Sequence, residues 1–374
     1  MTFRRSALAT LILIAIVVVA GLTFVSDRLF SGLTSSAETG QFRLMQSILD
    51  NAIRDASLDA LARADVIAAL PITRQAVAAK DRARLLSEFA DMFTAQKERR
   101  GVEQAQFHVP PAQSLLRLHS PADFGDDLTR FRPMVAAVNR EQTARNGLAI
   151  ARNGPAIFGI APIKDTQGKH VGSFEFGLEF APLLDNLKAA YNLEFALFLE
   201  EKPLREFARG LDPAKLSDQN RIGRFIRFHT TNNGLMQSLA TDSDISAVNE
   251  PARYTRDSQG LPYGVVLVPL RDGAGDPIGV IAVASDFSGS RAAAGRILVW
   301  QIYLAIFAIV VLIGAIVVVV RGFLLRPLDV INARLAALAA GEPVEPLRPT
   351  KFCVEIDTLA ALTKKLSAQR SQGA

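Results

Sequence analysis

The chain has 374 residues, 49% of them apolar, and a formal net charge of +5. That length and apolar share supply cores for two or three domains and exclude a disordered chain or a small disulfide-built one. A single cysteine excludes an internal disulfide, and the 42 Lys and Arg are scattered without aromatic interleaving, so no nucleic-acid partner is expected.

Residues 7–25 carry no charge over 19 positions and follow Arg4 and Arg5. As a helix they measure about 29 Å, enough to cross the hydrocarbon core of a bilayer. A cleaved signal peptide is the competing reading, with Val18-Val19-Ala20 as its cleavage site. The apolar run continues to Val25, further than a short signal core needs, which favours a span. From residue 30 to about residue 100 the pattern is helical, with Phe42, Met45, Leu49, Ala52 and Ala56 at three- and four-residue spacing. Pro71 interrupts it, so a long first helix and a second one through Lys97 are expected. A coiled-coil bundle would keep its heptads past Pro71, and these are not kept.

Short strands are expected at 103–107 and 114–118 around Val109-Pro110-Pro111, then a loop and helix over 123–138 and a strand over 148–152. Residues 161–174 read as a hairpin. A strand ends at Pro162, Asp165 caps a tight turn, Gly168 takes the positive-φ position and Gly172 opens the returning strand. Pro269, Asp272, Gly275 and Gly279 repeat those four positions at one constant offset of 107. A duplicated module accounts for this better than two unrelated hairpins. A linking helix is expected over 180–191. The second copy, 193–287, has strands at 194–199, 225–228, 264–269 and 278–284, with loops at 230–234 and 241–249.

This hairpin, present twice, resembles the terminal hairpin of the Cache fold, an extracytoplasmic ligand-sensing module related to PAS domains. Gln106-Phe107-His108-Val109-Pro110-Pro111, Leu116-Arg117-Leu118-His119-Ser120-Pro121, Phe124-Gly125-Asp126-Asp127-Leu128 and Gly172-Ser173-Phe174-Glu175-Phe176-Gly177 resemble the double Cache domain of some bacterial sensor kinases and chemoreceptors. The resemblance covers roughly residues 30–287. It implies an α+β fold with two tandem PAS-like modules on the long helix, a distal one at 101–180 and a proximal one at 193–287. Where the family's strand carries an Arg before its Gly, this chain has Phe158.

Residues 297–320 form a second charge-free run of 24, with Trp300 near its start and Arg321 and Arg326 behind it. A soluble helix of that length would keep a polar face, and an amphipathic ring at the start suits a membrane interface. Basic outer flanks place both termini in the cytoplasm and export residues 26–296 as one block. Arg291 and Arg296 oppose the rule mildly, but long exported domains translocate regardless of such charges.

Arg326-Pro327 suits a first helical turn, and Leu328, Ile331, Leu335 and Leu338 keep the 3-4-3 spacing of a coiled-coil seam. Gly341-Glu342-Pro343 stops that helix, Val344 and Leu347 punctuate a connector, and Ile356, Leu359, Leu362 and Leu366 mark a second helix. This arrangement over 321–370 resembles a HAMP domain, although Asp357 stands where a Gly is usual. The resemblance implies a parallel four-helix bundle made by two chains, hence a homodimer, since a lone amphipathic pair has nothing to bury against in water. Only residues 367–374 follow Leu366. A separate cytoplasmic output protein is then expected, or a truncated or split receptor that only binds its ligand.

No phosphate loop, zinc helix, nucleophile elbow or paired-cysteine motif is present, so neither an enzyme nor a cofactor is expected. His108, His119, His170 and His229 show no helical pairing, and no metal site is expected. The candidate ligand site is in the distal module. Arg117 and His119 alternate with Leu116 and Leu118 and so share a face. Asp126, Asp127, Arg130 and Arg132 follow within one loop and turn, and Glu175 lies on the hairpin. Arg and His on a sheet face suit a small organic anion, because Arg grips a carboxylate with a two-pronged fork. The competing reading makes Arg117 and Asp126 or Asp127 a structural salt bridge. Phe124, Phe131 and Phe158 are candidate pocket walls. The chain thus reads as a two-pass receptor of a bacterial inner membrane, with its sensor periplasmic and both ends cytoplasmic.

Overall fold

The computed structural model describes residues 3–340 together with Thr358, Ala361, Leu362 and Lys365. The expected connector and, apart from Leu362, the apolar positions of the second C-terminal helix lie outside the described residues. Ala37–Gly289 is one compact unit, and the described residues on either side of it belong to a second.

Helix α1 (Phe3–Ala69) ends before Pro71, which opens α2 (Pro71–Ala78). The chain breaks again where one further helix was expected. Lys80 adopts φ 54°, and the Asp81 carboxylate accepts from the Arg84 N–H to start α3 (Arg82–Arg100). Strands β1 (Val102–Val109) and β2 (Gln113–Arg117) follow, then α4 (Pro133–Glu141), β3 (Arg145–Ala151), β4 (Gly154–Lys164) and β5 (His170–Glu179). Helix α5 (Phe180–Tyr191) links this distal module to β6 (Glu194–Glu200), α6 (Glu201–Phe207), β7 (Arg221–Ile222) and β8 (Phe225–Thr230). The proximal module continues with α7 (Asn233–Leu239), α8 (Asp242–Ser246), β9 (Ala252–Ser258), β10 (Leu261–Arg271) and β11 (Pro277–Asp286). Residues 230–234 and 241–249, expected as loops, hold the starts of α7 and α8, because Asn232 and Thr241 act there as helix caps. Strand β9 was missed because it is polar and half exposed along its length.

Both sheets are antiparallel. The distal order is β2-β1-β5-β4-β3 and the proximal order is β7-β8-β6-β11-β10-β9, the same arrangement with β7 added. The bounds of β9, β10 and β11 equal those of β3, β4 and β5 displaced by 107 residues throughout. The turns match bond for bond. The Asp165 carboxylate accepts from the Gln167 and Lys169 N–H groups, as Asp272 does from Ala274 and Asp276. Gly168 and Gly275 take φ of 83° and 95°. Pro162 and Pro269 do not end their strands as expected. Each stands two residues beyond the last pair with the outer neighbour (Ile160 with Arg145, Leu267 with Ala252), where no ladder asks for its missing N–H. At Gly172 and Gly279 an added Cβ would lie 2.2 Å from a carbonyl oxygen of the adjacent strand, that of His108 or Phe198.

Helix α1 serves both modules. Phe42, Met45 and Leu49 pack on the proximal sheet with Phe195, Ile281 and Phe287, whereas Ala64 and Ile67 join Phe89, Phe107, Phe174 and Phe176 of the distal core. Each fully buried Phe contributes about 1.5–3 kcal/mol.

Ala9–Leu29 of α1 and the stretch Ser288–Gly322, most of it α9 (Ser288–Val319) and all but its first two residues in the second unit, are long and apolar enough to cross a membrane. Leu22, Phe24, Ile306, Phe307 and Val318 are exposed, so these helices leave apolar surface without a partner in water. Gln301 Nε2 donates to Ser26 Oγ at 3.0 Å. A π-helical stretch (Val320–Leu325) leads into α10 (Arg326–Ala339), which carries the expected seam position Ile331 buried.

Candidate functional site

The two faces of the distal sheet differ in chemistry. Alternation sends Ala105, Phe107 and Val109 of β1 toward the helices, with Phe174 and Phe176 of β5, into a hydrophobic core. The opposite face carries Gln104, Gln106 and His108 on β1 beside Ser173 and Glu175 on β5, all buried. Gln106 donates to Ser114 Oγ at 2.8 Å, and Ser173 Oγ lies 3.3 Å from His108 Nδ1. A buried polar row needs a reason to exist, since each unpaired group costs free energy.

One end of this face opens into a cleft of about 140 Å³, small beside the roughly 300–1,000 Å³ of drug-sized sites. Arg117, His119, Asp126, Asp127, Phe131 and Arg132 line it, together with Gln104, Leu128, Ile150 and Arg152. Glu206, Phe207 and Arg209, on α6 and just beyond it, cover the cleft from the proximal module.

Arg117 holds the loop after β2. Its two Nη atoms donate to the two Asp126 oxygens at 2.9 and 2.7 Å, and Nη1 also donates to the Asp123 carbonyl at 2.9 Å. Burial pushes the Asp126 carboxyl up, but the Arg117 fork outweighs it and holds the group below its ordinary range. Arg132 engages Glu175 at 3.0 and 2.7 Å in a pair that is nearly fully buried. Burial raises Glu175 despite the opposing Arg132 charge. Burial, then Arg132 and Arg117, hold His108 well below its ordinary value, so its 3.8 Å approach to Glu175 is not an ion pair. Burial and Arg117 likewise bring His119 down to about 4. Arg152 meets Asp123 at 3.1 Å. Arg209 is different. Its guanidinium stands 5.2 Å above the Phe131 ring, and among the described residues it has no carboxylate partner.

Five of the eight expected residues, Arg117, His119, Asp126, Phe131 and Arg132, meet at the cleft. Glu175 sits behind Arg132 and fixes it. Phe158 is fully buried, 4.3 Å beneath the Arg132 guanidinium, and supports that group instead of walling the cleft. Phe124 is displaced from the site. It is 53% exposed and stacks on Arg82 at 3.2 Å, while Arg82 also binds the Leu115 and Pro121 carbonyls. Phe124 therefore straps the loop from outside. Both competing readings of Arg117 have a basis here, since its salt bridge forms and also lines the cavity. Sequence reasoning missed Gln104, which the alternation Gln104, Gln106, His108 could have revealed. It also missed Glu206, Phe207 and Arg209, which reach the cleft only through tertiary packing.

A family model described as the double sensory domain of two-component sensor kinase matches residues 41–289. No curated protein matches the chain. Among solved structures, the ligand-binding domain of the Campylobacter jejuni chemoreceptor Tlp3, in complex with 4-methylisoleucine, is 12% identical, covering 70% of this chain and 94% of that one at a TM-score of 0.42. The periplasmic domain of Vibrio cholerae LuxQ is 12% identical, with 67% and 99% covered and a TM-score of 0.38. The sensor domain of the V. cholerae histidine kinase DctB is 10% identical, with 66% and 98% covered and a TM-score of 0.36.

Proposed function

This chain belongs to the family of double sensory domains of two-component sensor kinases, and on that premise we propose that it is a membrane receptor binding a small organic anion in its distal cleft. The observation that carries the ligand class is Arg209, a guanidinium over Phe131 that has no carboxylate partner among the described residues and lines the cleft together with the apolar Ile150, Phe131 and Phe207. A carboxylate entering the cleft meets Arg209 and competes with Asp126 for Arg117. Asp126 is about half exposed and sits on a loop, so it can yield, whereas the buried Arg132–Glu175 pair cannot. Displacing Asp126 frees the loop that Arg82 straps from outside.

In this reading Ala9–Leu29 and Ser288–Gly322 cross the inner membrane and hold Ala37–Gly289 in the periplasm. Strand β11 ends at Asp286 and α9 begins at Ser288, so a shift of the proximal sheet passes directly into the second span. Helix α10 then opens a HAMP-type bundle shared by two chains. The ligand shifts this equilibrium only by the difference in its affinity for the two arrangements.

Thermal melting of the detergent-solubilised full chain against a panel of small mono- and dicarboxylates tests the ligand class. At least one acid raises the melting temperature, Arg117→Ala removes that rise, and Asp126→Asn, which releases the internal competitor, tightens binding. A panel without any rise, or a rise unaffected by both substitutions, contradicts the reading. Topology has its own test. In intact cells a membrane-impermeant maleimide labels Asp59→Cys and spares the native Cys353, and the reverse pattern overturns the orientation.

A further inference from the structure

A second cavity, of about 150 Å³, lies beside the ligand cleft, with Phe131 and Phe207 bordering both. It sits where the two modules meet. Met134, Leu148 and Ile150 of the distal module and Ile278 of β11 give it an apolar lining. The turn between β10 and β11 forms one side, drawn in by the Gly273 N–H donating to the Leu148 carbonyl at 3.0 Å. The approach is close, since a Cβ on Gly273 would stand 2.9 Å from Met134 Sδ.

The charges around this cavity are unbalanced in the opposite sense to the first. Arg130 and Arg132 border it, but Glu206 neutralises one at 2.9 Å and Glu175 the other at 2.7 Å. Asp272 and Asp276 also border it. One Asp272 oxygen accepts the turn N–H groups of Ala274 and Asp276, and neither aspartate has a cationic partner among the described residues.

An apolar chamber of this volume suits a body about the size of benzene. Two carboxylates at its border that form no ion pair among the described residues suit a cation, the nearby Arg271 being held on the Gly275 carbonyl at 3.1 Å. We propose that this inter-module cavity binds a small organic ammonium ion, its aliphatic or aromatic body in the chamber and its nitrogen at Asp272 and Asp276. The site is separate from the anion cleft and does not depend on the reading of that cleft. Because Phe131 and Phe207 wall both spaces, an amine here fixes the two rings that an anion must pack against. The turn that borders the amine belongs to the hairpin whose second strand leads into α9.

Calorimetric titration of the detergent-solubilised full chain with benzylamine, and with benzyl alcohol as the uncharged isostere, tests this. Benzylamine binds saturably and about two- to fivefold tighter than the alcohol, the factor of one exposed ion pair. The double variant Asp272→Asn with Asp276→Asn keeps the turn acceptor at position 272 and abolishes that difference. Ala149→Leu, which fills the chamber, removes binding of both probes. Titrating each variant against the wild type cancels uptake by the micelle. Absence of saturable benzylamine binding to the wild type overturns the proposal, as does an equal preference for the amine in the Asn variant.

Discussion

Ser173 and Glu175 stand on β5 of the distal sheet where Val280 and Ala282 stand at the same register of β11 in the proximal sheet. The inner face of the proximal copy is a continuous apolar core of Ala196, Phe198, Val265, Leu267, Val280 and Ala282 beneath Met236 and Leu239. The distal copy keeps the same backbone frame, the same turn and the same proline and glycine positions, yet places His108, Glu175 and a buried Arg pair on that face. The two copies therefore share one backbone hydrogen-bonding frame and differ in the chemistry of that face, which is why the proposed site lies in the distal one. In the proposed receptor, the proximal copy, with its apolar face and its final strand followed directly by α9, would act as the coupling element.

Removing the distal counter-charge should give the largest effect. Arg132→Leu leaves Glu175 buried and unpaired, a loss of about 3–5 kcal/mol in denaturant unfolding. Adding Glu175→Ala, the residue of the proximal sheet, should restore most of it. A loss below about 1 kcal/mol for the single variant contradicts a buried-charge face. The shared frame makes an equal-effect prediction. Gly172→Ala and Gly279→Ala force the same clash in the two copies, and each should lower stability by about 1–3 kcal/mol. Unequal losses would break the equivalence of the modules.

Acid should weaken the distal copy through its histidines. His119 is held at about 4 by burial and Arg117, against an ordinary 6.5. Between those values the unfolded chain binds more protons than the folded one, so stability rises with pH and is lost on acidification from 6.5 toward 4. His108 acts in the same direction. Melting temperature plotted against pH should have a shallower slope in this window for His119→Gln, and an unchanged slope contradicts the assignment. The smallest effect is expected at the exposed pair between modules. Arg130→Ala breaks the bond to Glu206 and should cost less than about 1 kcal/mol.

The duplicated hairpin was legible because its turn needs particular residues. Asp, Gly and Pro at a fixed spacing report backbone geometry directly, and their offset of 107 extends to every bound of three strands. Helices α7 and α8 were not legible, because the Asn and Thr that cap a helix are also the residues of loops. At the site, Arg117, His119, Asp126 and Arg132 were readable from strand alternation and local clustering. Phe124 was misplaced because a half-buried Arg82 far back in the chain captures it. Arg209 and Phe207 could not be read locally, since they reach the cleft from the other module.

Hydrogen–deuterium exchange of the full chain, with and without the carboxylate that most raises its melting temperature, tests the central claim most directly. The account predicts added protection in β1, in the loop over 119–128 and at residues 206–209, with the inner proximal sheet unchanged. Protection centred on the proximal face, with none around Arg117, would contradict it.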